Sequence, residues 1–287
     1  MWLKMKLTKK FMSYFTMTMF VLMTIITTVF AAEGTVDWSK GIVRATGIGA
    51  GKPAYQKKNP GVYRAQAKRA AMMDAQRNLA ETVKGVRVTS ESTMEDMILQ
   101  SDIVRTRVDS IIKGMSEVSS QYYDDGTYEV VLEMPIFGAS DSLSEAAFIP
   151  FKDEPKVSFP SPVDMTIVNN PTVIGNNYTG LVVDCRGLGG LNPVMSPVIK
   201  NANGQAIYGH QNLDYDKIIV NGMASYADDA YDQISRNRAG NNPLVVKAVA
   251  LSDFNANPVV SVADADKILA TNQYDGFLEN CAVVFVK

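Results

Sequence analysis

Apolar positions along this chain follow two periods, and the changes of period mark out its elements. Between Pro60 and Lys84, Ala71, Met72, Ala75, Leu79 and Val83 share one helical face, while Arg64, Lys68, Arg69, Arg77 and Glu81 point elsewhere. Asn59-Pro60 offers a side-chain cap and a first-turn proline, and Gly85 offers a left-handed stop. The same spacing predicts a second helix over 101–113, lined by Val104, Val108 and Ile111 and stopped by Gly114. Alternation predicts strands over 42–48, ending in a Gly47, Gly49, Gly51 turn, and over 86–93, where Val86 and Val88 alternate with Arg87 and Thr89. The clearest hairpin has arms at 116–123 and 127–134 around Asp125-Gly126, a pair that accepts positive φ.

The pattern then fails over 138–178. Pro150, Pro155, Pro160, Pro162 and Pro171 fall there, with Asn169-Asn170 and Asn176-Asn177, so this stretch is expected as a linker. Periodicity returns at Thr179. Leu181 to Cys185 predicts a buried strand, and Asn203-Gly204 a hairpin with arms at 196–200 and 205–208. Helices are predicted over 226–238, with Ala227, Ala230, Tyr231 and Ile234 inward, and over 264–272. Strands are predicted over 244–251 and 282–286. The expected fold is α+β: an N-terminal small antiparallel sheet with two packed helices (38–137), the linker, and a C-terminal α/β layered domain (179–287).

The first 31 residues change the picture from fold to location. Lys4, Lys6, Lys9 and Lys10 form a basic start without an acid, an apolar stretch peaks at 19–26, and Val29-Phe30-Ala31 resembles a leader-peptidase site. This layout predicts a secretory signal peptide over 1–31. An uncleaved N-terminal anchor is the alternative, since 11–32 could just reach across a bilayer. Either way the chain is expected to be exported, to the periplasm or the outer envelope. No Cys follows the apolar core, so no lipidated N-terminal Cys is expected. No later run reaches spanning length.

Of 28 basic residues, four lie in the leader, leaving 24 against 30 acids and a net charge of −6. That balance excludes nucleic acid as the main partner, because phosphate binding needs a basic footprint. The local cluster Arg64, Lys68 and Arg69 is the best candidate interaction face. Cys185 and Cys281 flank two apolar runs, and export permits a disulfide between them. They could meet if those runs are adjacent antiparallel strands; parallel strands would leave them at opposite ends of the sheet.

Candidate chemistry is sparse. His210 is the only histidine, so any triad must pass through it, yet no nucleophile motif stands nearby. Gly47 to Lys52 has three residues between its outer glycines and Pro53 after its lysine, which fails the phosphate-loop pattern. Gly187 to Gly190 and Gly209 to Asn212 are loops that a small ligand or glycan could use. Asp253, Asn255 and Asn257 start like a calcium loop, but Pro258 and Asp264 occupy its sixth and twelfth places. Asp228, Asp229 and Asp232 suit a helix start. No catalytic residue, cofactor or metal is expected.

The run Arg64 to Glu81, the Lys84-Gly85-Val86 and Ile112-Lys113-Gly114 segments and the Asp125-Gly126 hairpin occur in an order that resembles the LPP-twenty family of envelope lipoproteins. The stretch also looks like the N-terminal domain of the flagellar assembly protein T. The C-terminal half, with Thr179 to Gly187 and Met195 to Ile199, looks like the C-terminal part of longer members of that family. The resemblance implies a non-enzymatic envelope protein. Its partners would be envelope or flagellar basal-structure proteins, or a second copy of itself.

Overall fold

A computed structural model of the chain describes residues 34–163 and 177–287. The expected leader and residues 164–176 of the expected linker lie outside the described residues. The N-terminal half is an antiparallel sheet in the order β1-β2-β4-β3, built from β1 (Gly34–Asp37), β2 (Ile42–Ala50), β3 (Glu117–Tyr122) and β4 (Thr127–Pro135). The turn α1 (Pro53–Gln56) leads into the long helix α2 (Pro60–Lys84), whose Asn59 cap accepts from Val62 N–H. Ala67, Ala71, Ala75, Leu79 and Val83 bury one face of α2 on the sheet, against Tyr128, Val130, Leu132 and Met134 of β4.

The run Gly47, Gly49, Gly51 lets α2 come this close. A Cβ on Gly47 would lie 2.0 Å from Ala75 N, and one on Gly49 2.2 Å from Ala71 N. Gly47 and Gly49 are therefore strand residues under a helix, rather than part of the turn expected from sequence, and Gly51 follows the strand. Beyond Ala45, the partner of Gly34 at the start of β1, α2 side chains bond the edge of β2: Asp74 accepts from Ile48 N–H and Asn78 donates to Thr46 O. Such an edge would otherwise offer unpaired backbone groups.

Three local expectations change. Gly85 sits at φ −75°, so the helix ends without a left-handed residue. The expected strand over 86–93 is a loop closed by a single bridge, Arg87 to Thr93. Val86 and Val88 are buried as their alternation requires, but the Arg87 and Val88 carbonyls accept from Met195 and Ser196, far along the chain. Thr93 then forms a capping box with Asp96 and starts α3 (Met94–Gln100), which the sequence reading did not anticipate. Helix α4 (Asp102–Gly114) follows with Ser101 as cap.

The stretch expected as a linker begins as core. Leu143, Ala146, Ala147 and Phe148, around the turn α5 (Ser144–Ala147), are buried, and 152–163 runs on as a strap that turns at 152–154 and then lacks regular secondary structure. Its prolines suit this path because it contributes no ladder hydrogen bonds.

The C-terminal half carries two further sheets. One is parallel, in the order β8-β12-β5-β9: β5 (Gly180–Asp184), β8 (Ser225–Ala227), β9 (Pro243–Lys247) and β12 (Val283–Val286). The other is mixed, in the order β10-β11-β6-β7: β6 (Ile199–Asn201), β7 (Ala206–Tyr208), β10 (Ala250–Ser252) and β11 (Asn257–Val260). Helices α6 (Tyr215–Asn221), α7 (Gln233–Ala239) and α8 (Val262–Asp275) complete it. The helix expected over 226–238 is shorter: its first residues form β8, and Tyr231 is exposed. Val182, Ala227, Val284 and Val286 pack with Ala239 on one face of the parallel sheet. Leu181, Val183, Val283 and Phe285 join the large core that also holds the N-terminal sheet and helices. Burial on both faces explains the continuous apolar runs.

Candidate functional site

The residues expected to form a basic interaction face are largely committed within the fold. Lys68 Nζ lies 2.6 Å from Glu117 Oε1 and 5.7 Å from the Tyr128 ring centre. Arg64 stacks its guanidinium 4.9 Å from the Tyr122 ring. Both thereby fasten α2 to the β3–β4 hairpin. The Glu117 hydrogen bond raises the Lys68 ammonium above its usual range. Arg69 is exposed and enters no ion pair among the described residues.

Cys185 and Cys281 are both buried free thiols. Of the two arrangements left open by the sequence, the parallel one holds: β5 and β12 are parallel, so the cysteines stand at opposite ends of them and no disulfide joins them. Burial, with a smaller contribution from Asp184, pushes the Cys185 thiol up to about 12.

His210 gains partners that the sequence did not reveal. Its Nε2 lies 3.0 Å from Glu154 Oε2, its Nδ1 lies 3.4 Å from Ser196 Oγ, and its ring sits 4.7 Å from the Phe151 ring. Histidine between serine and carboxylate has the composition of a hydrolytic triad, but a nucleophile must meet substrate. Ser196 is only 3% exposed. The cluster instead pins the strap, together with Val157 N–H to Gln211 O at 2.7 Å and Asn212 to the Val157 and Ser158 carbonyls.

The acidic groups have structural duties. Burial would raise Asp232, but N–H donors of Ser235, Asp229 and Asp228 outweigh it and hold the carboxyl low. Arg186 bridges Asp184 and Asp229. Asp253 opens a turn in which Asp253, Phe254 and Asn255 all have positive φ. Hydrogen bonds from Asn257 and then Lys200 hold the Asp253 carboxyl below its usual range. Among the described residues no group of acids, histidines and cysteines could hold a metal ion.

Two of the cavities are candidate ligand sites. One, of about 470 Å³, lies beneath the strap, with Lys156, Phe159, Asn212, Gln273 and Glu279 in its wall. It takes up Asn212 from the expected ligand loop, whereas Gly187 to Gly190 lies elsewhere. The other, of about 310 Å³, is shared by the two halves, and Trp38, Phe137 and Arg238 line it. Little in the sequence marks it, since its residues come from separate elements and Arg238 is one of two arginines in the polar helix α7.

Fold and sites together define an α+β protein, an antiparallel sheet–helix half joined through one core to a parallel α/β half. Residues 47–134 match the model of the LPP20 lipoprotein family, which supports the LPP-twenty resemblance. Residues 180–287 match the model of the second domain of Treponema pallidum Tp0624. No curated protein matches the chain. The LPP20 match supports an envelope-associated, exported protein, and among the described residues no helix is long and apolar enough to cross a membrane.

Proposed function

We propose that this chain is an exported, non-enzymatic cell-envelope protein that acts through protein–protein contacts, in flagellar or other envelope assembly. The match of 47–134 to the LPP20 lipoprotein family carries this reading. Support also comes from Leu99 and Ile103, near the junction of α3 and α4, which are 69% and 68% exposed. Ile103 lines an open groove shared with Ile149. Exposed large apolar side chains beside a groove are candidates for a contact surface. Arg69 adds an available charge on α2.

The test is cross-linking in intact cells with a tagged chain, comparing wild type with Leu99→Asp/Ile103→Asp. Recovery of the same envelope components by wild type and their loss in the variant supports the reading. A chain that cross-links to nothing, or equally well in both forms, ends it.

A second reading, a periplasmic small-ligand or glycan-binding protein, draws on the cavity beneath the strap, where the Glu279 Oε2 atom is buried without a hydrogen-bond partner among the described residues. Thermal stabilisation by a glycan panel, lost in Glu279→Ala, would favour it.

A further inference from the structure

The cavity shared by the two halves has an electrostatic imbalance at its wall. Arg238 is half-buried with its Nε fully covered, yet among the described residues no carboxylate pairs with it. Its Nη groups donate to the Asn221 and Gly222 carbonyls at the end of α6, the second at 2.6 Å. Those carbonyls carry only the partial negative charge of a helix C-terminus. Arg238 Nε is buried with no hydrogen-bond partner among the described residues. Burial depresses the guanidinium pKa, and only Tyr208 and Cys281, both neutral at pH 7, oppose that. A buried cation without a counter-charge is costly, and proteins normally pair it.

The rest of the cavity suits a small organic anion. Its volume, about 310 Å³, lies at the lower end of the range of small-molecule sites. Lys40 stands at the rim as a second cation, paired with Asp37 at 3.4 Å but with its side chain 69% exposed. Ser225 and Asn221 add polar contacts, and Trp38 and Phe137 add apolar wall. Trp38 is held in place edge-on to Tyr226, with ring centres 5.7 Å apart.

We infer that this cavity binds a small carboxylate- or phosphate-bearing molecule with a planar or apolar body, whose anionic group supplies the missing partner of Arg238. A guanidinium pairs with either group by charge-assisted hydrogen bonds, and each Nη keeps one N–H beyond the one given to a carbonyl. Such a site goes beyond the assembly role proposed above. It would also couple the two halves, because Trp38, Lys40 and Phe137 come from one and Asn221, Ser225 and Arg238 from the other.

Trp38 reports on the site directly, since the chain's other tryptophan, Trp2, can be removed. The full chain carrying Trp2→Phe is titrated with benzoate, phenyl phosphate and neutral benzamide while Trp38 emission is followed. A saturable change with benzoate, phenyl phosphate or both, absent with benzamide, is expected, and the stronger of the two anions names the group recognised. Arg238→Met should weaken binding by at least about tenfold. Because Arg238 also caps α6, so that its loss removes a structural contact as well as a charge, Ser225→Asp provides the second variant. It places a carboxylate in the cavity, leaves the caps intact, and should abolish the response. No saturable change with either anion, an equal change with benzamide, or an undiminished response in a folded Ser225→Asp chain overturns the inference.

Discussion

Gly47 and Ala75 meet so closely that a Cβ on the glycine would stand 2.0 Å from the Ala75 backbone nitrogen. A strand and a helix touch here backbone to backbone, and no side-chain movement can make room. Gly47→Ala should therefore destabilise the fold by about 3 kcal/mol. Gly114→Ala, where a Cβ meets nothing within 4 Å at the end of α4, should be neutral or slightly stabilising. Urea midpoints of the two variants give the comparison.

The His210–Glu154 contact holds the strap to the C-terminal half. His210→Ala should cost about 1 kcal/mol locally, seen as faster hydrogen exchange at the Val157 amide, which is bound to Gln211 O. Unchanged protection of Val157 would show that Asn212 and the backbone bond suffice without the imidazole.

Asp184, Asp232 and Asp253 all have carboxyls held below their ordinary range. A depressed folded-state pKa contributes stability that is complete above the unfolded value and lost as pH falls through the folded one. The melting temperature should thus be level from neutral pH down to about 5 and fall below about 4. Asp253→Asn should lower stability at neutral pH and make the acid decline shallower, because Lys200 and Asn257 then lose their carboxylate partner at every pH. An identical acid slope in wild type and variant would mean that Asp253 is not linked to folding.

Cys185 and Cys281 should resist thiol reagents in the native chain and both react once it is unfolded. Treatment with an oxidant should produce no intramolecular disulfide, because the parallel β5–β12 pairing separates them. Mass spectrometry of the intact protein after alkylation, with and without urea, counts the accessible thiols.

Local signals located many elements well. Asn59-Pro60 started α2 where expected, Asp125-Gly126 turned the β3–β4 hairpin with Gly126 at φ +90°, and Asn203-Gly204 turned β6 into β7. The sequence reading failed where the partner was distant. Val86 and Val88 have strand alternation, but their neighbours Met195 and Ser196 are more than a hundred residues away. Tyr226 began an expected helix and Ala227 fitted its apolar face, yet β12 draws both into the parallel sheet. Phe148 and Leu143 sat among residues that looked like linker because no period of two or three survives in so short a turn.

The candidate sites divide in the same way. The sequence named Lys68, Cys185, Cys281 and His210, and side-chain chemistry alone justified singling them out. Whether each was free depended on Glu117, on strand direction and on Glu154, and none of these relations follows from spacing. Sequence alone therefore determined the element types, the hairpins and the LPP-twenty resemblance, because caps, turns and periodicity act over a few residues. Tertiary structure alone decided which charges are paired, why the cysteines stay apart and why Arg238 lacks a counter-charge among the described residues. These depend on which distant segments the shared core brings together, and apolar burial, being non-directional, does not specify that choice residue by residue.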